Sequence, residues 1–207
     1  MKVEAAARSV CILPPGSFSV APQGAGQVVI LTSERTDLGG RSAINQADYA
    51  QPDSRIVPVV PYRRLRNEGA IEVLAIDQLR APADNPRLKI LQSDTLSINW
   101  VEYDGGRDRS RLSPHSHKSL EQGSLGLAGD FVHHLRVEWG RDAALWRDDL
   151  HAHLPSPSLM VVPVGLIHTS EGTGAGHHLL IDIFAPPRRE FIAKGWVLNA
   201  ADYAAPA

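Results

Sequence analysis

The stretch RLSPHSHKSLEQGSL, residues 111–125, concentrates side chains with the type and spacing for chemistry. Residues two apart in an extended strand share a face and lie about 6.5–7 Å apart, close enough for two imidazoles to converge on one ion at roughly 2.0–2.2 Å. His115 and His117 meet that condition. Glu121 joins them only if the chain reverses, because four further extended residues at about 3.3 Å each would carry it roughly 13 Å away. A turn through Lys118, Ser119 and Leu120 would return it at the start of a new strand, with Glu121, Gly123, Leu125 and Leu127 on the inward face. Farther on, VVPVGLIHTSEG (161–172) offers His168 at the start of a strand, after a turn shaped by Pro163 and Gly165. Three neutral imidazoles and one carboxylate suit a divalent transition metal (iron, manganese, nickel, cobalt or zinc), with geometry rather than affinity selecting among them. The bland alternative makes His115 and His117 solvated loop residues.

Strands must position these residues. Short apolar runs recur from Arg55 onward, RIVPVV, IEVLAI, LKIL, LSINWVEY, QGSLGLAG, FVHHLRVEW, LMVVPV and HLLIDIF, with turn residues between them. That spacing predicts an all-β sandwich or barrel of antiparallel strands. Leu96, Ile98 and Trp100 alternate with Thr95, Ser97 and Asn99, as in a strand with one face on a core. One segment, RDAALWRDDLHAHL (141–154), reads as a short helix or an irregular excursion. Length favours one domain with an extension: an arm over 1–55 with one strand in QVVILTSE (27–34), a body over 56–186, and a tail over 187–207 whose Trp196, Val197, Leu198 and Tyr203 are too apolar to hang free.

HxHxxxE followed some 40 residues later by PxGxxH resembles the two motifs of the cupin superfamily, with PHSHKSLEQGSLGLAG standing for the first and PVGLIH for the second. The resemblance spans about residues 95–186. Gly106 lies farther upstream than the usual glycine, Gly129 is one place late, and Gly172 stands where cupins often carry asparagine. The resemblance implies a jelly-roll β-barrel with a metal inside, commonly a homodimer, and His115, His117, Glu121 and His168 as its ligands.

Other residues are candidates for a role around such a centre. Alternation groups His133 with Phe131, Leu135, Val137 and Trp139, so His133 either lines a pocket or is a hydrogen-bonded core histidine. His133 and Glu171 are the candidate proton handlers, and His178, Leu125, Leu135 and Trp139 the candidate substrate contacts. His151 and His153 form a second HxH, which reads as a loop. GTGAGHH (172–178) reads as a hairpin, since a strand and no helix follows it. Arg188 and Arg189 are either a solvated pair or an anchor for an anionic substrate. Cys11 lacks a neighbouring histidine to activate it.

An open metal site supports three classes of function. Non-haem Fe(II) could serve a dioxygenase, the leading expectation. Zn, Mn or Ni could act as a Lewis acid for an isomerase, epimerase or lyase, and a third class binds a small molecule without chemistry. A net charge of −2, from 21 basic and 23 acidic residues, gives no sign of a nucleic-acid or anionic-membrane partner. One cysteine permits no internal disulfide, the N-terminus makes a poor signal peptide, and no run approaches a membrane span, so a cytoplasmic setting is expected.

Overall fold

In a computed structural model that describes residues 2–33 and 44–206, the chain is built of twelve short strands and one short helix. The strands are β1 (Ser9–Ile12), β2 (Arg63–Arg64), β3 (Glu72–Ala75), β4 (Lys89–Gln92), β5 (Ser97–Asp104), β6 (Gln122–Ala128), β7 (Asp130–Arg136), β8 (Leu150–Pro155), β9 (Ser158–Val162), β10 (Ile167–Thr173), β11 (His177–Phe184) and β12 (Tyr203–Ala204). The helix, α1, covers Arg189–Ala193. The fold is all-β, as the run spacing predicts.

Two antiparallel sheets enclose the site. One has five strands in the order β4-β5-β11-β6-β9, the other three in the order β10-β7-β8. Backbone hydrogen bonds between His115 and His168 (3.0 and 2.8 Å) tie the segment before β6 onto β10. Buried Ile90, Leu91, Phe131, Leu180 and Phe184 fill the interior, where close packing makes each apolar side chain worth about 1.5–3 kcal/mol of burial.

The inward face is more polar than alternation suggests. Along β5 it is Ser97 and Asn99 that are buried, while Ile98 and Trp100 are only half-buried on the opposite face. On β6 the buried set is Gln122, Ser124 and Gly126, so Leu125 and Leu127 face the other way, the reverse of the expected phase. A period of two identifies a strand without saying which face is inside, and a one-residue slip exchanges the faces. These inward strands line a polar cavity, so their small and polar residues turn in.

Local expectations are revised by the structure. Residues 141–154 take the irregular course rather than the helical one: a 3-10 turn covers Ala143–Leu145, capped by the Asp142 carboxylate accepting from the Ala144 N–H (3.0 Å), and β8 starts at Leu150. Trp139 and Trp146 stack at 4.6 Å and close this β7–β8 connection, so the HAH histidines lie on a strand rather than in a loop. Residues 27–33 form no strand and expose Val28, Val29 and Ile30, while Glu34, the end of that expected strand, lies outside the described residues. RIVPVV also forms no strand: Val57 N–H donates to Ser119 O (2.9 Å), and Pro58 has no N–H to extend a ladder.

The flanking segments are tied to the body. β1 pairs with β3, and Arg8, at the entry to β1, bonds Asp77 and Glu102. After β11 the tail bridges Val197 to Ile90 and pairs β12 with β2. The Asn199 amide accepts from the Gln92 N–H (2.9 Å) and donates to the Gln92 carbonyl (2.8 Å).

Candidate metal centre

His115, His117 and His168 converge as expected, with one ligand atom from each lying within 4.8 Å of the others. The chain reverses after His117, where the Gly165 N–H donates to the His117 carbonyl (2.6 Å). Gly165 makes the facing turn at φ +84°, a left-handed conformation that suits glycine, and delivers His168 to β10. His117 and His168 are buried and His115 is exposed, so the cluster opens outward at His115.

Backbone carbonyls set the tautomers of two rings. His115 Nδ1–H donates to Ser113 O (2.8 Å) and His168 Nδ1–H to Leu166 O (2.9 Å), leaving each Nε2 with a lone pair. Burial lowers the pKa of His168 and takes His117 down to about 4, which keeps both imidazoles neutral, the form that binds metal.

Glu121 does not complete the set. Its carboxylate accepts from the Tyr49 hydroxyl (2.9 Å), and it falls outside the three-histidine cluster. The reversal ends one residue later than expected, so Gln122 points inward instead. Its Oε1 lies 2.8 Å from His117 Nε2 and 3.3 Å from His168 Nε2. Its amide nitrogen donates to Ser124 Oγ (2.9 Å) and to the Asp182 carboxylate (3.0 Å), which fixes the orientation of the amide. The Gln122 oxygen and the His168 lone pair therefore face each other as two acceptors. The three histidines fit a divalent metal, and the Gln122 oxygen, which accepts from His117 Nε2–H, is a neutral oxygen beside them.

The three histidines stand together as the HxH and PxGxxH motifs imply, without the Glu121 that the same motifs imply. The architecture is two antiparallel sheets around a three-histidine cluster. No family model and no curated protein matches the chain. Among solved structures, KdgF from a Halomonas species is similar at a TM-score of 0.41 and 21% identity, covering 56% of this chain and 94% of that one. An RmlC-like cupin from Shewanella frigidimarina is similar at a TM-score of 0.41 and 20% identity, covering 56% and 91%. The Cnp3 cupin domain of Schizosaccharomyces pombe is similar at a TM-score of 0.38 and 14% identity, covering 65% and 92%.

The centre opens on a cavity of about 340 Å³, to which His115, Gln122, His168, Asn99, Asp182 and Arg107 contribute. Asp182 accepts from Gln122 and Asn99 (3.0 and 3.2 Å) and lies 3.3 Å from Ser124 Oγ, and burial pushes its carboxyl up to about 6. Phe184 sets its ring against His117 at 5.5 Å. Phe191 and Trp196 of the tail form part of the wall.

The other candidates are placed differently. His133 is buried behind Ser170, its Nδ1 2.9 Å from the Ser170 hydroxyl, and Ser170 rather than His133 lines the cavity. Glu171 alternates to the outer face of β10, its carboxylate 2.8 Å from His134 Nε2 and 3.4 Å from Arg109, so it is not beside the centre. His178 is fully buried, stacked on Tyr103 at 5.2 Å with Nε2–H donating to Thr173 O (2.8 Å), and it meets the cavity only through Tyr103. Leu125 opposes Ile181 and Leu159 on the far face of the sheet, Leu135 is packed across from His168, and Trp139 is 63% exposed on its stacked loop. None of the three lines this cavity; its apolar wall comes from Leu88, Val101, Leu180 and Phe184.

Gln122, Asp182, Arg87 and Arg107 are the site residues that motif reading overlooks. Gln122 carried a usable signal, since it alternates with small Ser124 and Gly126 and therefore faces a confined interior. Asp182 had a weaker one, sharing a strand face with His178. The two arginines had none.

Proposed function

We propose that this protein is a metal-dependent enzyme that moves a proton on a small organic substrate, in an isomerisation, epimerisation or elimination. His115, His117, Gln122 and His168 would hold a divalent transition metal, which supplies Lewis-acid polarisation of a substrate oxygen when bound. The observation that carries this reading is the placement of Asp182. It is the sole carboxylate among the described residues lining the cavity, and it sits beside the donor set, on the Gln122 amide, rather than within it. The chain's own contribution is then plain. Asp182 exchanges a proton with substrate, Asn99 and Gln122 hold its carboxylate in place, and Phe191 and Trp196 shield the reacting atoms from water.

The leading expectation, an Fe(II) dioxygenase, uses the same histidines but gives Asp182 no proton to move. A binding protein without chemistry uses neither. Metal analysis of protein purified without added metal, with substrate turnover followed in air and under argon, separates the three. Oxygen-independent turnover that Asp182→Asn abolishes, with metal content intact, supports the proposal. Stoichiometric iron and turnover only in air overturn it in favour of the dioxygenase.

A further inference from the structure

We infer that the substrate at this centre is a small carboxylate, and that Arg87 and Arg107 anchor its carboxyl group. The inference rests on reading the three-histidine cavity as the substrate site. Three arginines line that cavity, Arg87, Arg107 and Arg188, against one carboxylate, Asp182. The spare charge is not spread evenly among them.

Arg188 is already satisfied. Its Nε and Nη2 bond the Glu190 carboxylate (2.7 and 2.5 Å), and its guanidinium lies 3.8 Å over the Phe191 ring. Asp182 is engaged by Gln122 and Asn99 and acts on Arg107 only through space, with no ion pair between them. Arg87 and Arg107 form no ion pair among the described residues, and Arg107 Nη2 is buried without a hydrogen-bond partner. Arg107 is nonetheless fixed, because its backbone N–H donates to Gly172 O (2.9 Å) where β10 ends. Burial and the neighbouring Arg87 both act against the Arg107 charge.

Two cations that line one small cavity, one with a buried unpaired donor, favour an anion placed between them. The planar guanidinium offers paired N–H groups that match a carboxylate. Tyr103 lines the same cavity and is hydrogen-bonded to Arg107, its oxygen also accepting the Gly172 N–H (3.1 Å), so its own O–H remains to donate to the same ligand. At about 340 Å³ the cavity suits a metabolite-sized acid, with its carboxyl at the arginines and its remaining oxygens toward the histidines.

The test is calorimetric titration of the full chain with malonate, succinate, L-malate and L-tartrate, with malonamide and succinamide as uncharged counterparts and inorganic phosphate as a second anion. At least one acid should bind tenfold or more tightly than the amides. Arg107→Gln and Arg87→Gln should each weaken it about tenfold while metal content stays unchanged. Arg87 is exposed, so its substitution does not threaten the fold. Equal affinity for acid and amide, preference for phosphate over every acid, no binding of any acid, or binding indifferent to both arginine variants each overturns the inference. His168→Ala separates this inference from the metal reading. Arginine-dependent acid binding in protein that never holds metal upholds the anchor and removes the centre. Acid binding that needs His168 but neither arginine does the reverse.

Discussion

Gln122 Oε1 stands 3.3 Å from His168 Nε2 with no hydrogen to share, because the Gln122 amide is oriented by Asp182 and the His168 proton is on Nδ1. Gln122→Ala should therefore lower metal affinity by tenfold or more, measured as metal per chain by mass spectrometry after dialysis against a graded chelator. Gln122→Glu should retain metal. Glu121→Ala should leave metal content unchanged, since Glu121 is bonded to Tyr49.

Gly172 occupies a place with no room for a side chain. A Cβ there would meet Tyr103 Oη at 2.4 Å and His178 Cδ2 at 2.6 Å, so the tyrosine and histidine fill the space that a larger residue would take. Gly172→Ala is expected to cost about 1–3 kcal/mol, read as a lower urea midpoint at unchanged slope. Tyr103→Phe should relieve part of that loss, because the contact with His178 remains.

Acid should loosen the N-terminal arm. Arg8 beside Glu102 holds the Glu102 carboxyl down to about 2, so this pair contributes stability in full above the ordinary glutamate range and loses it as pH falls toward 2. His177 carries the opposite sign. Asp104, and with it Glu102, raises its pKa, so its contribution is full below the ordinary histidine value and fades as pH rises through the raised one. Thermal unfolding scanned from pH 2 to 8 should therefore show the steepest loss in acid, and Glu102→Gln should flatten that limb.

The tail should be inseparable from the cavity. Asn199 satisfies both backbone groups of Gln92 from 107 positions away, in a buried setting, so Asn199→Ala strands a buried N–H and C=O at a cost of about 1–3 kcal/mol. Because Phe191 and Trp196 belong to the same segment, the variant should also weaken substrate binding. A circular-dichroism melt and the KM report the two effects.

Residues on the face of β10 and β7 away from the cavity, and on the β7–β8 connection, should be silent at the centre. Glu171→Gln removes the carboxylate that faces His134 on the side of β10 and β7 away from the cavity, and Trp139→Ala unstacks Trp146. Metal content and kcat should stay within twofold of the parent in both, measured side by side with Asp182→Asn.

How much of this was legible depended on whether each residue's environment is local. His115, His117 and His168 were readable because strand spacing and one turn decide where they point. The strands themselves were readable from runs such as LKIL and HLLIDIF. The identity of the inward face was not, because the interior is a wet cavity that draws in Asn99, Gln122 and Ser124 while Ile98 and Leu125 turn away. Trp139 misled for a related reason, since an aromatic on the expected inner face finds its partner in Trp146 across a loop. Arg87 and Arg107 come from separate connections and meet only in the folded chain, with no periodicity to announce them.

The phase of β6 couples two properties that mutation might otherwise alter separately. One residue inserted between Lys118 and Leu120, and carried into the strand, would put Glu121 where Gln122 stands and exchange every later side chain between the faces, Leu125 and Leu127 included. A carboxylate donor gained by insertion would therefore disrupt the sheet, whereas the single substitution Gln122→Glu keeps it. For this lineage the charge of the donor set is open to point mutation and closed to changes in loop length.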